Sequence, residues 1–244
     1  MSEIATSIVF NEDCEIGMKK FPDGYFDLAI CDVPYGIGVG QMAYLKEIAT
    51  TVKQKNGTRI NGNKQKKVYT QKIWDIMPPS QKYFDELRRV SKEQIIFGVE
   101  YVDWVGLGSG RIKWNKGVAE GMSFKKYEKA YCSLIDDEIE LNLLWAGMQQ
   151  AKGLSEPMTQ QGNKKLNERR IHPCHKPRLL YKKLIMDYGF HGMRLLDTHL
   201  GGGSIRIEAD LAGCNFTGFE IDKEYWEKQE NRYSNHKKQL RLWA

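Results

Sequence analysis

Apolar residues along this chain follow two periods, and segments of one period alternate with segments of the other. Short apolar runs read as strands: Ile8-Val9-Phe10, then Phe26-Asp27-Leu28-Ala29-Ile30-Cys31 ending in Asp32, then Ile95-Ile96-Phe97. Arg111-Ile112-Lys113-Trp114 and Ala130-Tyr131-Cys132-Ser133-Leu134 predict two more. Helical spacing appears in Tyr83, Phe84, Leu87 and Val90, after the start signal Pro78-Pro79-Ser80. It returns in Leu179, Leu180, Leu184 and Ile185 after Pro177. A βαβ unit follows, with strand Arg194-Leu195-Leu196-Asp197, a glycine turn, a helix over 204–212 and strand Phe216-Thr217-Gly218-Phe219-Glu220. A charged helix from 223 to about 234 closes the chain. Strands alternating with helices imply an α/β fold. Two polar stretches interrupt the pattern, at about 38–75 and 147–171, and read as insertions in one domain spanning 1–244. No internal repeat is visible.

Composition narrows the class. Apolar residues make up 41% of the 244, enough for a sizeable core. The net charge of +6 favours a polyanionic partner. The five cysteines (Cys14, Cys31, Cys132, Cys174, Cys214) are scattered, with no C-x-x-C pair, which argues against a disulfide framework or zinc ribbon. No signal peptide and no apolar run near the ~20 residues of a membrane span are seen, so the expectation is a cytoplasmic protein with no membrane partner.

Chemistry gathers at two strand ends. Asp32-Val33-Pro34-Tyr35 follows the longest strand candidate. An acid, a carbonyl, a proline and an aromatic there suit a pocket for a flat amine, at the edge where open α/β sheets bind ligands. Near the other end of the chain, Asp197-Thr198-His199-Leu200-Gly201-Gly202-Gly203-Ser204 is a strand-to-helix turn rich in glycine. Such a turn lets a ligand approach the backbone and offers free helix N–H groups. Glu220 then ends the next strand, where an acid can accept both hydroxyls of a ribose. An adenosine-bearing cofactor is expected; a dinucleotide matches less well, because position 206 is arginine where G-x-G-x-x-G needs its last glycine. Each feature also has an ordinary reading: an acid can cap a turn, Tyr35 can be packing, and a glycine turn can be only a tight connection. His172, Cys174 and His175 invite a metal, but no fourth ligand is in evidence and none is expected.

The two sites together resemble a known pattern. Asp32-Val33-Pro34-Tyr35 resembles the D-P-P-Y signature of DNA methyltransferases that modify exocyclic amines. Leu196 to Ser204 resembles their D-x-F-x-G-x-G motif for S-adenosylmethionine, and His172-Pro173-Cys174-His175-Lys176-Pro177 their H-P-T-Q-K-P element. The catalytic motif precedes the cofactor motif, the order of the β-class. Phe84 to Lys92 and Trp114-Asn115-Lys116 are similar to segments of small phage-type members. The resemblance implies a Rossmann-like, seven-stranded sheet, mostly parallel with one antiparallel strand, in circularly permuted motif order. It implies catalytic roles for Asp32, Val33, Pro34 and Tyr35. It also implies cofactor contacts from Asp13, Cys14, Asp32, His172, Lys176, Asp197, Leu200, Gly201, Gly203, Ser204, Glu220 and Asp222, with Asp13 at the adenine and Glu220 at the ribose. Val33 stands where the family has proline, Leu200 where it has an aromatic, and Cys174 and His175 where it has Thr and Gln.

The implied reaction is methylation of the N6 amine of adenine in a specific duplex sequence, with the base flipped out. Asp32 favours adenine, since cytosine-N4 enzymes of this type tend to carry serine there. The alternatives are a cytosine-N4 enzyme, a catalytically weak DNA-binding module that keeps the cofactor fold, and an RNA or protein-glutamine methylase, against which the motif order argues. Double-stranded DNA is the expected partner; the resemblance also admits a homodimer and a cognate restriction enzyme. Phosphate contacts are expected from Lys53, Lys55, Arg59, Lys64, Lys66 and Lys67 in the first insertion. In the second they are expected from Lys164, Lys165, Arg169 and Arg170.

Overall fold

The computed structural model describes residues 5–38, 52–53, 59–60, 75, 77–121 and 125–241. In chain order the elements are β1 (Ser7–Phe10), α1 (Cys14–Met18), β2 (Phe26–Asp32), the two-residue strands β3 (Val52–Lys53) and β4 (Arg59–Ile60), α2 (Gln81–Val90), β5 (Ser91–Phe97), β6 (Arg111–Asn115), β7 (Tyr127–Cys132) and β8 (Glu138–Asn142). The short strands β9 (Trp145–Ala146) and β10 (Gln149–Gln150) follow, then α3 (Arg178–Tyr188), β11 (Arg194–Asp197), α4 (Ser204–Leu211), β12 (Asn215–Phe219) and α5 (Lys223–Arg241).

Eight strands form one sheet in the order β1-β12-β11-β2-β5-β7-β6-β8. Only β7 runs against its neighbours, pairing antiparallel with both β5 and β6. The sheet is therefore mostly parallel with one antiparallel strand, as expected, and β8 is the strand beyond the seven read from the sequence. Its burial explains why it went unread: in Glu138-Ile139-Glu140-Leu141-Asn142 only Leu141 is buried. An acidic edge strand of this kind protects the sheet from further pairing and lacks an apolar run.

The strands alternate sides with the period of two that extended backbone imposes. Leu28 and Ile30 of β2, Ile95 and Phe97 of β5 and Leu195 of β11 face one layer, with Leu180 and Leu184 of α3 and Ile205 and Ala209 of α4. Ala29, Cys31, Ile96 and Leu196 face the other, with Met18 of α1 and Tyr83, Phe84 and Leu87 of α2. Helix α2 starts where Ser80 Oγ accepts the Tyr83 N–H, as the proline-serine signal predicts. Helix α5 continues well past 234, where its apolar spacing fades. Asp210 of α4 holds that extension, accepting from the Tyr233 hydroxyl and Lys237 and lying 3.2 Å from His236 Nε2.

Candidate active site

Strands β2 and β11 are parallel neighbours, with Leu195 opposite Leu28 and Leu196 opposite Ala29. Their carboxyl ends, Asp32 and Asp197, thus open at the same sheet edge, where flanking chains diverge and leave room for a ligand. A cavity of about 240 Å³ lies there. Asp32, Val33, Pro34 and Tyr35 line it from β2; His199, Leu200, Gly201, Gly202 and Ser204 line it from the turn after β11. Asp13, Cys14, His172, Lys176 and Glu220 complete much of the wall. Two motifs distant in sequence share one cleft.

The wall around Asp32 is closely wired. Tyr35 donates its hydroxyl to Asp32 Oδ1 at 2.8 Å and receives a bond from Lys176 Nζ at 3.0 Å. Lys176 also forms an ion pair with Asp32 Oδ1 and lies 3.4 Å from Glu128 Oε2. Glu128 in turn is bound by Lys116 at 2.7 Å. Lys116, Glu128, Lys176 and Asp32 therefore alternate in sign, and each has a largely buried side chain. Burial pushes the Asp32 carboxyl up, against the pull of Lys176. Burial works to lower Lys176, but Asp32 and then Glu128 outweigh it and hold the ammonium charged. Glu128, with two lysines, ends below the usual carboxylate range despite its burial.

The loop carrying these groups is fixed from behind. Asp75 Oδ1 accepts the N–H groups of Tyr35 and Gly36 at 2.7 and 3.0 Å. The Tyr35 ring stacks on Tyr101, with centroids 4.9 Å apart and planes 14° apart. Gly98 makes that stack possible: its φ is +88°, and a Cβ there would sit 2.3 Å from the Tyr35 ring.

On the opposite wall the glycine turn is tightly folded. Gly201 has φ +52° and donates its N–H to Glu220 Oε2 at 2.7 Å, while Glu220 Oε1 accepts from Asp222 N at 2.8 Å. A Cβ on Gly202 would lie 2.3 Å from His175 Nδ1. Burial first, then His175 and Lys176, lower the His172 pKa to about 3, so this imidazole is neutral. Burial likewise brings His199 down to about 4.

A second cluster ties this turn to the 147–171 stretch. Glu168 Oε1 lies 2.9 Å from His175 Nε2 and accepts from Arg232 and from the Ser204 hydroxyl; its Oε2 accepts the Arg178 N–H. Burial acts to raise this carboxyl, but His175, Arg232 and the Arg178 N–H bring it to about 2.

Several expected site residues lie off the cavity wall. Asp197 is 1% exposed behind the turn and caps it by accepting the His199 N–H; burial pushes it up to about 8. Gly203 is the residue before α4, with φ +66°. Asp222 caps α5 by accepting the Glu224 N–H. Asp13 lines the cavity while its Oδ1 also caps α1 through Glu15 N. Of the residues expected on DNA, Lys55, Lys64, Lys66 and Lys67 fall outside the described residues. The backbones of Lys53 and Arg59 pair across β3 and β4. Lys164 and Lys165 sit exposed on a single helical turn, Arg169 lines a neighbouring groove, and Arg170 stacks over Trp145 at 4.3 Å. Sequence reading missed Glu128, Tyr101 and Glu168. A lone acid in Lys-Tyr-Glu-Lys and a lone tyrosine in a one-turn helix carry no local signal.

The family model described as DNA methylase (N6_N4_Mtase) matches residues 41–231. Among solved structures, the crystal structure of M1.HpyAVI superposes with a TM-score of 0.54 at 13% identity, covering 93% of this chain and 98% of that one. The cytosine-N4-specific PvuII DNA methyltransferase gives 0.52 at 11% identity, covering 94% and 88%. TTHA0409 of Thermus thermophilus, named a DNA modification methylase, gives 0.51 at 14% identity, covering 96% of each chain. These likenesses confirm the Rossmann-like sheet. No protein of curated function matches the chain in sequence.

Proposed function

The chain belongs to the DNA methylase family, and from that premise we propose that it transfers a methyl group from S-adenosylmethionine to the N6 amine of adenine in a specific duplex sequence. The observation that carries the reading is the shared cleft: the Asp32 motif and the Gly201-Gly202 turn line one cavity from adjacent strand ends.

The wall suits such a cofactor. Among the described residues five carboxylates line the cavity (Glu12, Asp13, Asp32, Asp75, Glu220) against one lysine, with both His172 and His175 shifted toward neutrality. That excess of negative charge favours a cationic ligand. Gly201 and Gly202 let the turn pack closely on the His172 and His175 rings, and Leu200, Val33 and Cys14 add apolar surface for a purine. M1.HpyAVI has been solved as a complex with SAM, at a TM-score of 0.51 to this chain. When bound, the cofactor supplies an electrophilic methyl on a sulfonium.

The chain's own residues position the amine. Its lone pair is delocalised into the base, so it attacks poorly unless the nitrogen becomes more tetrahedral. The Asp32 carboxylate and the Val33 carbonyl both accept hydrogen bonds from the two amine hydrogens, which favours that geometry and aligns the nitrogen with the methyl. Valine keeps the carbonyl that proline would offer but loses its fixed φ. Tyr35, set against Tyr101, offers a face to a flipped base. Cys31 is buried and Cys14 half-buried; burial raises both thiols, and neither takes a nucleophilic part. Lys164, Lys165, Arg169 and Arg170 contribute phosphate contacts. Asp32 carries the choice of adenine over cytosine, on the family resemblance.

Duplex DNA incubated with methyl-labelled cofactor, digested and separated into nucleosides, should yield labelled N6-methyladenine. Asp32→Ala should lower the rate by about a hundredfold or more while cofactor binding persists. Label in N4-methylcytosine, or undiminished transfer by Asp32→Ala, would count against the reading.

A further inference from the structure

Oδ1 of Asp32 is held by both Tyr35 and Lys176, which draws the carboxylate's charge away from an incoming amine. An amine can meet the full charge only if the ammonium has somewhere else to go. A buried ammonium released without a partner carries a desolvation cost that would oppose binding.

We propose that Glu128 is a positioning residue that receives the Lys176 ammonium when the target amine docks on Asp32. The inference rests on the amine-methylating reading of the site. Glu128 Oε2 already lies 3.4 Å from Lys176 Nζ, so a change of side-chain torsion completes the transfer without moving the backbone. Lys116, at 2.7 Å, anchors Glu128 in place on β7. The groups facing Lys176 come from five places: Asp32 at the end of β2, Tyr35 in the loop after it, Glu128 on β7, Asp197 at the end of β11, and Cys174 and His172 on its own segment. Cys174 is a thiol raised by burial, His172 is neutral and burial pushes Asp197 up to about 8, so among the described residues Asp32 and Glu128 are the carboxylates that pair with the lysine. The Phe97 ring, 4.8 Å from Nζ, borders the path between them. In the resting site Lys176 pairs with Asp32 Oδ1; in the loaded site it neutralises Glu128 and leaves the whole Asp32 carboxylate to the amine.

Glu128→Gln tests this. The amide matches the shape but cannot receive a full charge, so Lys176 stays on Asp32. At neutral pH kcat should fall roughly ten- to a hundredfold with cofactor affinity unchanged. The pH profile is the decisive readout. With one carboxylate gone, Lys176 loses its proton at lower pH than in the native protein, and its deprotonation frees Asp32. The variant should therefore recover toward the native rate as pH rises, while the native rate stays flat over that range. In a Lys176→Met background the Glu128→Gln defect should vanish, because no ammonium needs a receiver. A native rate with a flat profile overturns the proposal. So does a loss that is independent of pH and persists beside Lys176→Met, which marks a merely structural Glu128. If Glu128→Gln does not fold, Lys116→Met decides: Glu128 then turns its charge to Lys176, and faster transfer at neutral pH is expected, whereas unchanged or slower transfer overturns the proposal. Failure of the function reading itself is separate, since it shows as undiminished transfer by Asp32→Ala.

Discussion

Tyr35 has no freedom to choose its own position. Its hydroxyl joins Asp32 and Lys176, its N–H is held by Asp75, and its ring lies flat on Tyr101. The residue that permits this is Gly98, which has no side chain to collide with the ring and accepts φ +88°. Gly98→Ala should thus act twice. The left-handed backbone costs about 1–2 kcal/mol with a Cβ present, which should appear as a lowered Tm. The added methyl also drives the ring away from Asp32, and displacement of that order in a positioning group costs on the order of a hundredfold in rate. Cofactor affinity, set on the far side of the cleft, should stay as it is. A Gly98→Ala protein that melts earlier but methylates at the native rate would remove the Tyr35–Tyr101 pair from the site. None of this was readable in the sequence beyond Tyr35 itself. Gly98 and Tyr101 lie between two predicted elements, where one glycine resembles any other.

The elements divide by how their sequence signals arise. Helix α2, strand β11 and helix α4 were legible because burial on one face writes a period into the sequence and because capping residues mark the ends. Cys14–Met18 and β8 were not: one is a single turn held by the Asp13 cap, the other an edge strand with one buried side chain. The cleft was legible for a different reason, since both strand ends carry local motifs, whereas the ion chain through Glu128 joins side chains that only the sheet order brings together. Glu168 belongs to that second kind. It links α3, α4 and α5 with the end of the 147–171 stretch through His175, Ser204, Arg232 and the Arg178 N–H. Its carboxyl is depressed from 4.5 to about 2 in the fold. A depressed acid stabilises the fold fully above its unfolded value and loses that contribution as pH falls through its folded one. The link should therefore stabilise the fold at neutral pH and lose that contribution between pH 4.5 and 2. Glu168→Gln should lower stability at neutral pH and flatten the decline below pH 4.5, measured as urea midpoints across a pH series. An unchanged slope would mean that the carboxylate does not hold these elements together.

Charge is unevenly distributed over the molecule, and the distribution fits a polyanion on the outside with a cation within. The cleft wall is acidic, while the whole chain carries +6, so the basic excess must lie elsewhere. One part of it borders a groove of about 730 Å³ beside the cleft, where Lys152, Arg169, Arg178, Lys182, Lys228 and Arg232 face two acids, Glu168 and Glu208. Arg232, Arg178 and Lys228 are tied to acids, so Arg169, Lys182 and the exposed Lys164 and Lys165 can meet phosphates. Contacts of that kind release counterions, so affinity falls with salt along a log–log slope of about −0.9 per phosphate contacted on duplex DNA. Replacing Lys164, Lys165 and Arg169 together by glutamine should make the slope shallower by roughly 2 to 3 and weaken specific and nonspecific duplexes alike. Cofactor binding, which depends on the opposite charge, should not change. If the slope stays at its native value, the 147–171 stretch does not lie along the DNA. The basic excess that grips the duplex would then have to come from the lysine-rich segment that follows β2.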